Sequence, residues 1–431
     1  MRVSIRSWMG ISGVLALAIV SPGPAAAQAP LCAPDNAGLT LPAGFCALVV
    51  RDSVGRPRHL TVASNGDVFV ALSAQRVQGG GTVDGGILVL RDVDGDGTAD
   101  ESYRFGGGNG DDVELHGGYL YYSTNDAIMR YAWRPGQVEP TGAPDTIVMN
   151  LPASGGHRAK SLALLNDGWV YTNVGSPSNA CMAQSRTAGS PGKDPCDELE
   201  TRAGIWRFRT DRMRQTQADG ERFATGMRNT VALASRPQDG RLYGVMHGRD
   251  QLAQLWPELF TDAQSAEKPA EEFVRIEQAD DFGWPYCYYD PETSTKVLAP
   301  EFGGDGRQVG RCADKKAPLI GFPAHWAPNG LLFYSGTSFP ARYAGGALIA
   351  FHGSWNRDPL PQAGYQIAFA PFVAHEATGE WETFATGFAG ADMSPRGAAH
   401  RPVGLAQGPD GSVYVSDDAG GRIYRIVYRA R

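Results

Sequence analysis

Six times along this chain a short polar turn ending in glycine runs into β-branched or aromatic residues, and that recurrence restricts the fold more than any other feature. The segments read Ser64-Asn65-Gly66-Asp67-Val68-Phe69-Val70, His116-Gly117-Gly118-Tyr119-Leu120-Tyr121-Tyr122 and Asn166-Asp167-Gly168-Trp169-Val170-Tyr171. They continue as Gln238-Asp239-Gly240-Arg241-Leu242-Tyr243, Pro328-Asn329-Gly330-Leu331-Leu332-Phe333 and Pro409-Asp410-Gly411-Ser412-Val413-Tyr414-Val415. Asn-Gly and Asp-Gly in this setting signal tight hairpins, because a type I′ turn needs positive φ at two successive positions. The marker glycines are 52, 50, 72, 90 and 81 residues apart. Apolar strand-like stretches flank the hairpins, upstream at 59–63 and 161–164, downstream at 86–90, 127–131, 205–208 and 423–427. This pattern predicts an all-β chain, a six-bladed β-propeller with long loop insertions in its later blades. Residues 45–50 are placed to add an outer strand beside 424–428, closing the ring and removing two exposed sheet edges. Helical periodicity is scarce, and residues 251–260 are the best candidate for a short loop helix.

With 431 residues, 42% of them hydrophobic, the chain can bury a large core; 55 glycines and 29 prolines suit a protein built of turns. Its formal net charge is −7 and it has no Lys/Arg-rich run, so neither nucleic acid nor anionic lipid is an expected partner. Arg2 and Arg6 precede an apolar stretch at 8–20, then Pro22-Gly23-Pro24 and Ala25-Ala26-Ala27 before Gln28. This predicts a signal peptide over residues 1–27, a propeller over 28–431, and a periplasmic or secreted location. No later stretch reaches 18 uninterrupted apolar residues, so no membrane span is expected in the mature chain. The six cysteines fall in three close pairs, and locality predicts bridges 32–46, 181–196 and 287–312, each clamping one loop. None belongs to a CxxCH motif, so the chain carries no covalent c-type haem of its own.

Propeller blades converge on an axis, and the loops entering the innermost strands form a funnel at one end. Arg58 precedes His59-Leu60, Lys160 precedes Ser161-Leu162, Arg228-Asn229 precede Thr230-Val231, and Arg401 precedes Pro402-Val403. His325 lies ahead of the fifth hairpin, and Asp111-Asp112 take the position in the second blade. Most of these comparable positions are cationic in a chain that is acidic overall. Gathering like charges at one axis is unfavourable unless an anion sits among them, so a polyanionic ligand is expected there.

Several stretches resemble the soluble PQQ-dependent sugar dehydrogenases, above all the branch related to sorbosone and pyranose dehydrogenases. They are Gly155-Gly156-His157 with Lys160, Gly226-Met227-Arg228-Asn229, and His247-Gly248-Arg249-Asp250-Gln251-Leu252. They continue through Phe282-Gly283-Trp284-Pro285-Tyr286-Cys287, Phe351-His352-Gly353-Ser354-Trp355-Asn356-Arg357, Arg401-Pro402-Val403-Gly404-Leu405 and Asp417-Asp418-Ala419-Gly420-Gly421-Arg422. The matches keep the family's order across about residues 45–430, and the family fold is a six-bladed propeller.

The resemblance implies an oxidoreductase that moves hydride from a sugar, or a related alcohol or aldehyde, to PQQ, assisted by calcium. It implies His157 as the general base and Arg228 as the group that stabilises charge on the reduced quinone. Cofactor contacts are expected from Arg58, Lys160, Arg228, Asn229, Trp355, Asn356, Arg357 and Arg401, since PQQ is a tricarboxylate. Calcium is expected on the backbone carbonyls of Gly248 and Arg249. Electrons must then pass to a separate acceptor, such as a cytochrome or a quinone. Three departures stand out: Thr230 where proline usually follows the Arg-Asn pair, Lys160 where arginine is common, and Asn329 where an apolar residue is usual.

Asp92, Asp94, Asp96 and Asp100 have EF-hand-like spacing with Gly97 at the sixth position, although Tyr103 replaces the twelfth acidic residue; a structural calcium there is weighed against a plain acidic turn. His247, His325 and His352 are further candidates for a site role, and Trp284 for loop packing or a sugar platform. HExxH, GxSxG and GxGxxG motifs are absent, which disfavours zinc hydrolase, serine hydrolase and NAD chemistry. The rival readings are a calcium-dependent propeller lactonase or hydrolase, and a non-enzymatic propeller that binds carbohydrate or protein.

Overall fold

Gly66, Gly118, Gly168, Gly240 and Gly411 each lie between the first two strands of a four-stranded antiparallel sheet. The computed structural model describes Met1 and residues 32–76 and 80–429. Apart from Met1, the signal peptide expected over 1–27 lies outside the described residues. Blade 1 comprises Pro57–Val62, Val68–Leu72, Gly86–Arg91 and Glu101–Phe105. Blade 2 comprises Gly110–His116, Tyr119–Thr124, Ile128–Ala132 and Asp145–Val148. Blade 3 comprises Leu162–Leu164, Trp169–Val174, Gly204–Arg209 and Glu221–Thr225, and blade 4 Ala232–Arg236, Arg241–Met246, Glu271–Ile276 and Ile320–Phe322. Blade 5 comprises Pro328–Phe333, Ala347–Phe351, Gln366–Ala370 and Glu382–Ala385. Blade 6 takes Pro402–Gln407, Val413–Asp417 and Arg422–Tyr428, and its outer strand is Phe45–Arg51, paired as Phe45↔Tyr428 through Val49↔Tyr424. The ring closes as expected.

The second and third strands of a blade lie between two neighbouring sheets, so both their faces need apolar cover. Val68–Leu72 and Ala347–Phe351 are accordingly buried at every position. Among the described residues six apolar clusters fill the six blade interfaces, and four smaller ones lie under the loops. Phe69, Val89 and Leu120 join blades 1 and 2, whereas Tyr243, Phe273 and Phe333 join blades 4 and 5. The innermost strands pack side by side round the axis. They leave a cavity of about 220 Å³, lined by His59, Asp112 and Glu114 and continuing down to Ser335 and Gln407.

One expected turn is corrected. Asn329 and Gly330 lie inside the innermost strand of blade 5, and the chain turns later, between Phe333 and Ala347. Gly330 is needed for approach rather than for a turn: a Cβ there would stand 2.2 Å from the Val403 carbonyl of blade 6. The loop helix expected at 251–260 is a single turn, Leu252–Leu255, and a second helix spans Asp262–Glu267. The bridges Cys32–Cys46, Cys181–Cys196 and Cys287–Cys312 are all formed.

Candidate active site

Two sets of loops bound the same end of the axis: those entering the first strands and those leaving the second strands. Residues 175–203 and 247–270 are long examples of the second set, and 352–365 is another. Here the chain gathers most of its buried charge.

His157 lies in the loop before the first strand of blade 3. Its Nδ1 is 2.8 Å from the Ser176 carbonyl oxygen and 3.1 Å from Ser176 Oγ. A carbonyl only accepts, so Nδ1 carries the proton and Nε2 is left with its lone pair. Burial, reinforced by the Arg228 charge, pushes the imidazole down to about 3, so it is neutral across the physiological range. Gly175 allows this closeness: a Cβ there would be 2.6 Å from His157 Cβ and 3.0 Å from Asn229 Oδ1.

Arg228 is buried and makes bonds in four directions. Its Nη1 donates to Gly248 O at 2.8 Å, Nε to Asn179 O at 3.2 Å, and Nη2 to Asn179 Oδ1 at 3.1 Å and Asp250 Oδ2 at 2.9 Å. Asp250 also accepts Arg186 Nη2 at 3.1 Å and Asn356 Nδ2 at 2.9 Å, with His325 Nδ1 3.8 Å away. Burial opposes its ionisation, yet Arg228, His325 and Arg186 hold its carboxyl well below the usual range. Asn229 Oδ1 accepts from Asn173 Nδ2, and Asn173 Oδ1 accepts the Thr230 N–H at 3.1 Å. A proline at 230 has no such N–H, which accounts for that departure from the family.

The other expected cofactor residues meet different partners. Arg58 Nη1 donates to Asp418 at 2.8 Å, and Arg56 lies 4.0 Å from the same carboxylate, which also holds His352 at 2.7 Å. Arg401 Nη2 donates to the carbonyls of Gly353 and Ser354 and to the Tyr365 hydroxyl, and its Nε is buried without a partner among the described residues. Lys160 is fully buried with Nζ on the Arg158 carbonyl; burial, opposed by Asp111, lowers it to about 8. Arg357 is committed to the carbonyls of Ala266 and Ala324 and to Glu267, while the Arg249 side chain pairs with buried Glu301 at 2.5 Å. Trp355 is 54% exposed. His59 bridges two acceptors, Asp112 Oδ2 at 2.9 Å and Asn329 O at 2.7 Å, so both nitrogens must donate and the ring is an imidazolium. Burial opposes that charge, and Asp112 together with the Asn329 carbonyl more than offsets it. The third departure, Asn329, thus serves through its backbone.

The expected ring of cations is therefore partly neutralised, but unequally. Asp250 serves Arg228 and Arg186, Asp418 serves Arg58 and Arg56, and the guanidinium of Arg401 bonds only to neutral oxygens. Positive charge is in excess among these groups. On the opposite end of the ring, the carboxylate oxygens of Asp92, Asp94 and Asp100 lie within 4.8 Å of one another; Asp96 instead accepts the Thr98 N–H.

Sequence reasoning assigned no role to Ser176, Asn179, Arg186 or Asp250. Asp250 lay within a stretch already singled out by resemblance. The other three follow the second strand of blade 3, where neither the charge pattern of the first-strand entries nor the matched stretches reached.

The solved PQQ domain of a pyranose dehydrogenase from Coprinopsis cinerea superposes with a TM-score of 0.71 at 19% identity, covering 93% of this chain and 98% of that one. A family AA12 enzyme from Trichoderma reesei gives 0.71 at 19% identity over 91% and 98%. In sequence, the C. cinerea PQQ-dependent pyranose dehydrogenase is 26% identical over 237 residues, 47% of this chain and 30% of that protein. The chain spans about half or less of the length of the curated relatives it matches. The TrAA12-like family matches residues 39–429. That match embraces all six blades and every mouth residue described above, and the chain belongs to the TrAA12-like family.

Proposed function

We propose that this protein is an exported quinoprotein oxidoreductase that oxidises a sugar or a related alcohol or aldehyde, using PQQ and calcium and passing electrons to a separate acceptor such as a cytochrome or quinone. The observation that carries the reading is the neutral, half-buried His157 beside Arg228 within a mouth whose guanidiniums outnumber their carboxylates.

The residues present suit both groups. A tricarboxylate matches the excess of Arg58, Arg186, Arg228 and Arg401 over Asp250 and Asp418. For calcium, the oxygen donors are the carbonyls of Gly248 and Arg249, together with Asp250 Oδ1 and the Asn356 Oδ1, which is buried without a partner among the described residues. When bound, PQQ supplies a hydride-accepting quinone and calcium a Lewis acid beside it. His157 Nε2 takes the proton of the substrate hydroxyl, and the Ser176 carbonyl steadies the imidazolium so formed. Arg228 holds a fixed positive charge beside the reacting groups, and Asn229 is kept in orientation by Asn173. Trp355 offers an exposed aromatic face at the rim.

Three disulfides support the exported location, and no helix among the described residues is long and apolar enough to cross a membrane. The Asp92–Asp100 loop is proposed as a separate structural calcium loop. The decisive experiment is calorimetric titration with PQQ, with and without calcium, followed by dye reduction with a panel of aldoses. Failure to bind PQQ overturns the reading, and calcium-dependent ester hydrolysis without PQQ replaces it with the hydrolase.

A further inference from the structure

Four consecutive residues after the second strand of blade 3, Ser176-Pro177-Ser178-Asn179, touch both groups on which the proposed chemistry depends. The Ser176 carbonyl accepts His157 Nδ1 at 2.8 Å, and the Ser176 N–H donates to the Arg228 carbonyl at 2.7 Å. The Pro177 carbonyl accepts the Gly156 N–H at 2.9 Å, pinning the loop that carries His157. Asn179 receives Arg228 twice, Nε on its carbonyl and Nη2 on its side-chain oxygen. The same side chain clasps the Asp250 backbone, with Oδ1 accepting that N–H at 2.9 Å and Nδ2 donating to that carbonyl at 3.0 Å.

The segment is itself restrained. Ser176 Oγ donates to the Ser178 carbonyl at 2.7 Å, and Ser178 Oγ accepts the Cys181 N–H at 3.0 Å, where the Cys181–Cys196 bridge begins. Trp284 Nε1 caps the Asn179 carbonyl at 3.0 Å, and Asn179 is 3% exposed. The Asn179 side chain thus holds Arg228 Nη2 directly and, through the Asp250 backbone, the carboxylate that shares Nη2, so its truncation loosens both ends of that ion pair.

We propose that residues 176–179 form a bracket that fixes the base and the guanidinium relative to each other, with Asn179 as the positioning residue for Arg228. The proposal rests on the dehydrogenase reading for its consequence in turnover, but not for its geometry. The charged and titratable groups whose fields act on His157 are Arg228, His247 and Asp250, so the place of Arg228 is readable through the His157 ring. Ser176 is the hydrogen-bond partner of the base, and the hydrogen bonds of Asn179 go to other residues.

The test uses the PQQ-free full chain, ¹⁵N-labelled, with His157 assigned by its loss in His157→Gln. Ring titration of His157 in Arg228→Gln measures the whole effect of the Arg228 charge, which is an upward shift. Asn179→Ala is expected to produce at least half of that shift. Trp284→Phe, which removes only the bond capping the Asn179 carbonyl, is expected to leave the titration within about 0.2 units of wild type. Asn179→Ser, which suits the local Ser-Pro-Ser run, serves if Asn179→Ala does not fold. In PQQ-loaded protein, Asn179→Ala is expected to lower kcat by about 10-fold or more with KM within about threefold. A His157 titration unchanged in the Asn179 variants, or moved equally by Trp284→Phe, overturns the proposal. So does an unchanged titration in Arg228→Gln. If wild-type protein shows no PQQ-dependent turnover, the dehydrogenase reading fails while the titration still decides the bracket.

Discussion

A base held neutral by its surroundings should leave a distinctive pH–rate profile. An ordinary histidine, with a pKa of about 6.5, is only about 3% neutral at pH 5, so an enzyme relying on one loses about 30-fold in kcat/KM between pH 7.5 and pH 5. His157 is pushed down to about 3, first by burial and then by Arg228, and remains almost wholly neutral at pH 5. Wild-type protein loaded with PQQ should therefore vary by less than about twofold over that interval, with its acid limb near pH 3. The assay is kcat/KM for an aldose with an artificial dye, in buffers from pH 4 to 8, with circular dichroism at each pH to verify folding. His157→Gln should lower kcat by about 10²–10⁴-fold throughout while PQQ affinity is nearly unchanged. The sign for stability runs the same way. Below pH 6.5 the unfolded chain binds a proton that native His157 refuses, so stability falls as pH drops from about 6.5 towards 3. An acid limb near pH 6.5 in wild type, or full activity in His157→Gln, would refute the assignment of the base.

Gly175→Ala forces a methyl to within 2.6 Å of His157 Cβ, and should lower kcat/KM by about 10–100-fold, read by steady-state kinetics. Glu301→Gln leaves the buried Arg249 guanidinium without its charge partner and should destabilise the fold by about 3–5 kcal/mol, read from denaturant midpoints. Replacing Cys181 and Cys196 together by serine frees a 15-residue loop, which should lower stability by about 3 kcal/mol and reduce turnover through the loss of the restrained Asn179. Calcium should raise the Tm of PQQ-free wild type more than that of Asp92→Asn, with kcat unchanged between the two, as the Asp92–Asp100 loop lies at the far end of the ring.

Blade number was legible because five of the six inner hairpins reverse within two to five residues, and only a few residue types permit that. The exception is instructive. Asn329-Gly330 has the composition of a hairpin turn but lies within a strand, since Gly330 is required by contact with the Val403 carbonyl of another blade. A close approach between segments far apart in sequence imitates a turn signal, and no local pattern separates the two. Charge at the mouth was legible in kind but not in pairing. Arg58, Arg228 and Arg401 were visible as cations entering first strands, whereas Asp418 and the carbonyls of Gly353 and Ser354 come from loops of neighbouring blades, and Asp250 from the loop after the second strand of Arg228's own blade. The buried ends of Arg357 and Arg249 were equally invisible, because an arginine that binds an anion and one that staples two loops look alike in sequence.

The last blade borrows Phe45–Arg51 for its fourth strand, and this sets an order of assembly. A nascent chain that has emerged only as far as blade 5 holds five sheets and a cleft, with the apolar faces of blades 1 and 5 wet. The Phe45 side chain, later enclosed by Phe339, Tyr343, Phe384 and Tyr428, has only part of its cage until Tyr428 arrives. Folding to a sealed toroid thus waits until Arg422–Tyr428 has been made. Pulling apart the Phe45–Arg51 and Arg422–Tyr428 strands would unzip a single sheet and spring the whole circle open.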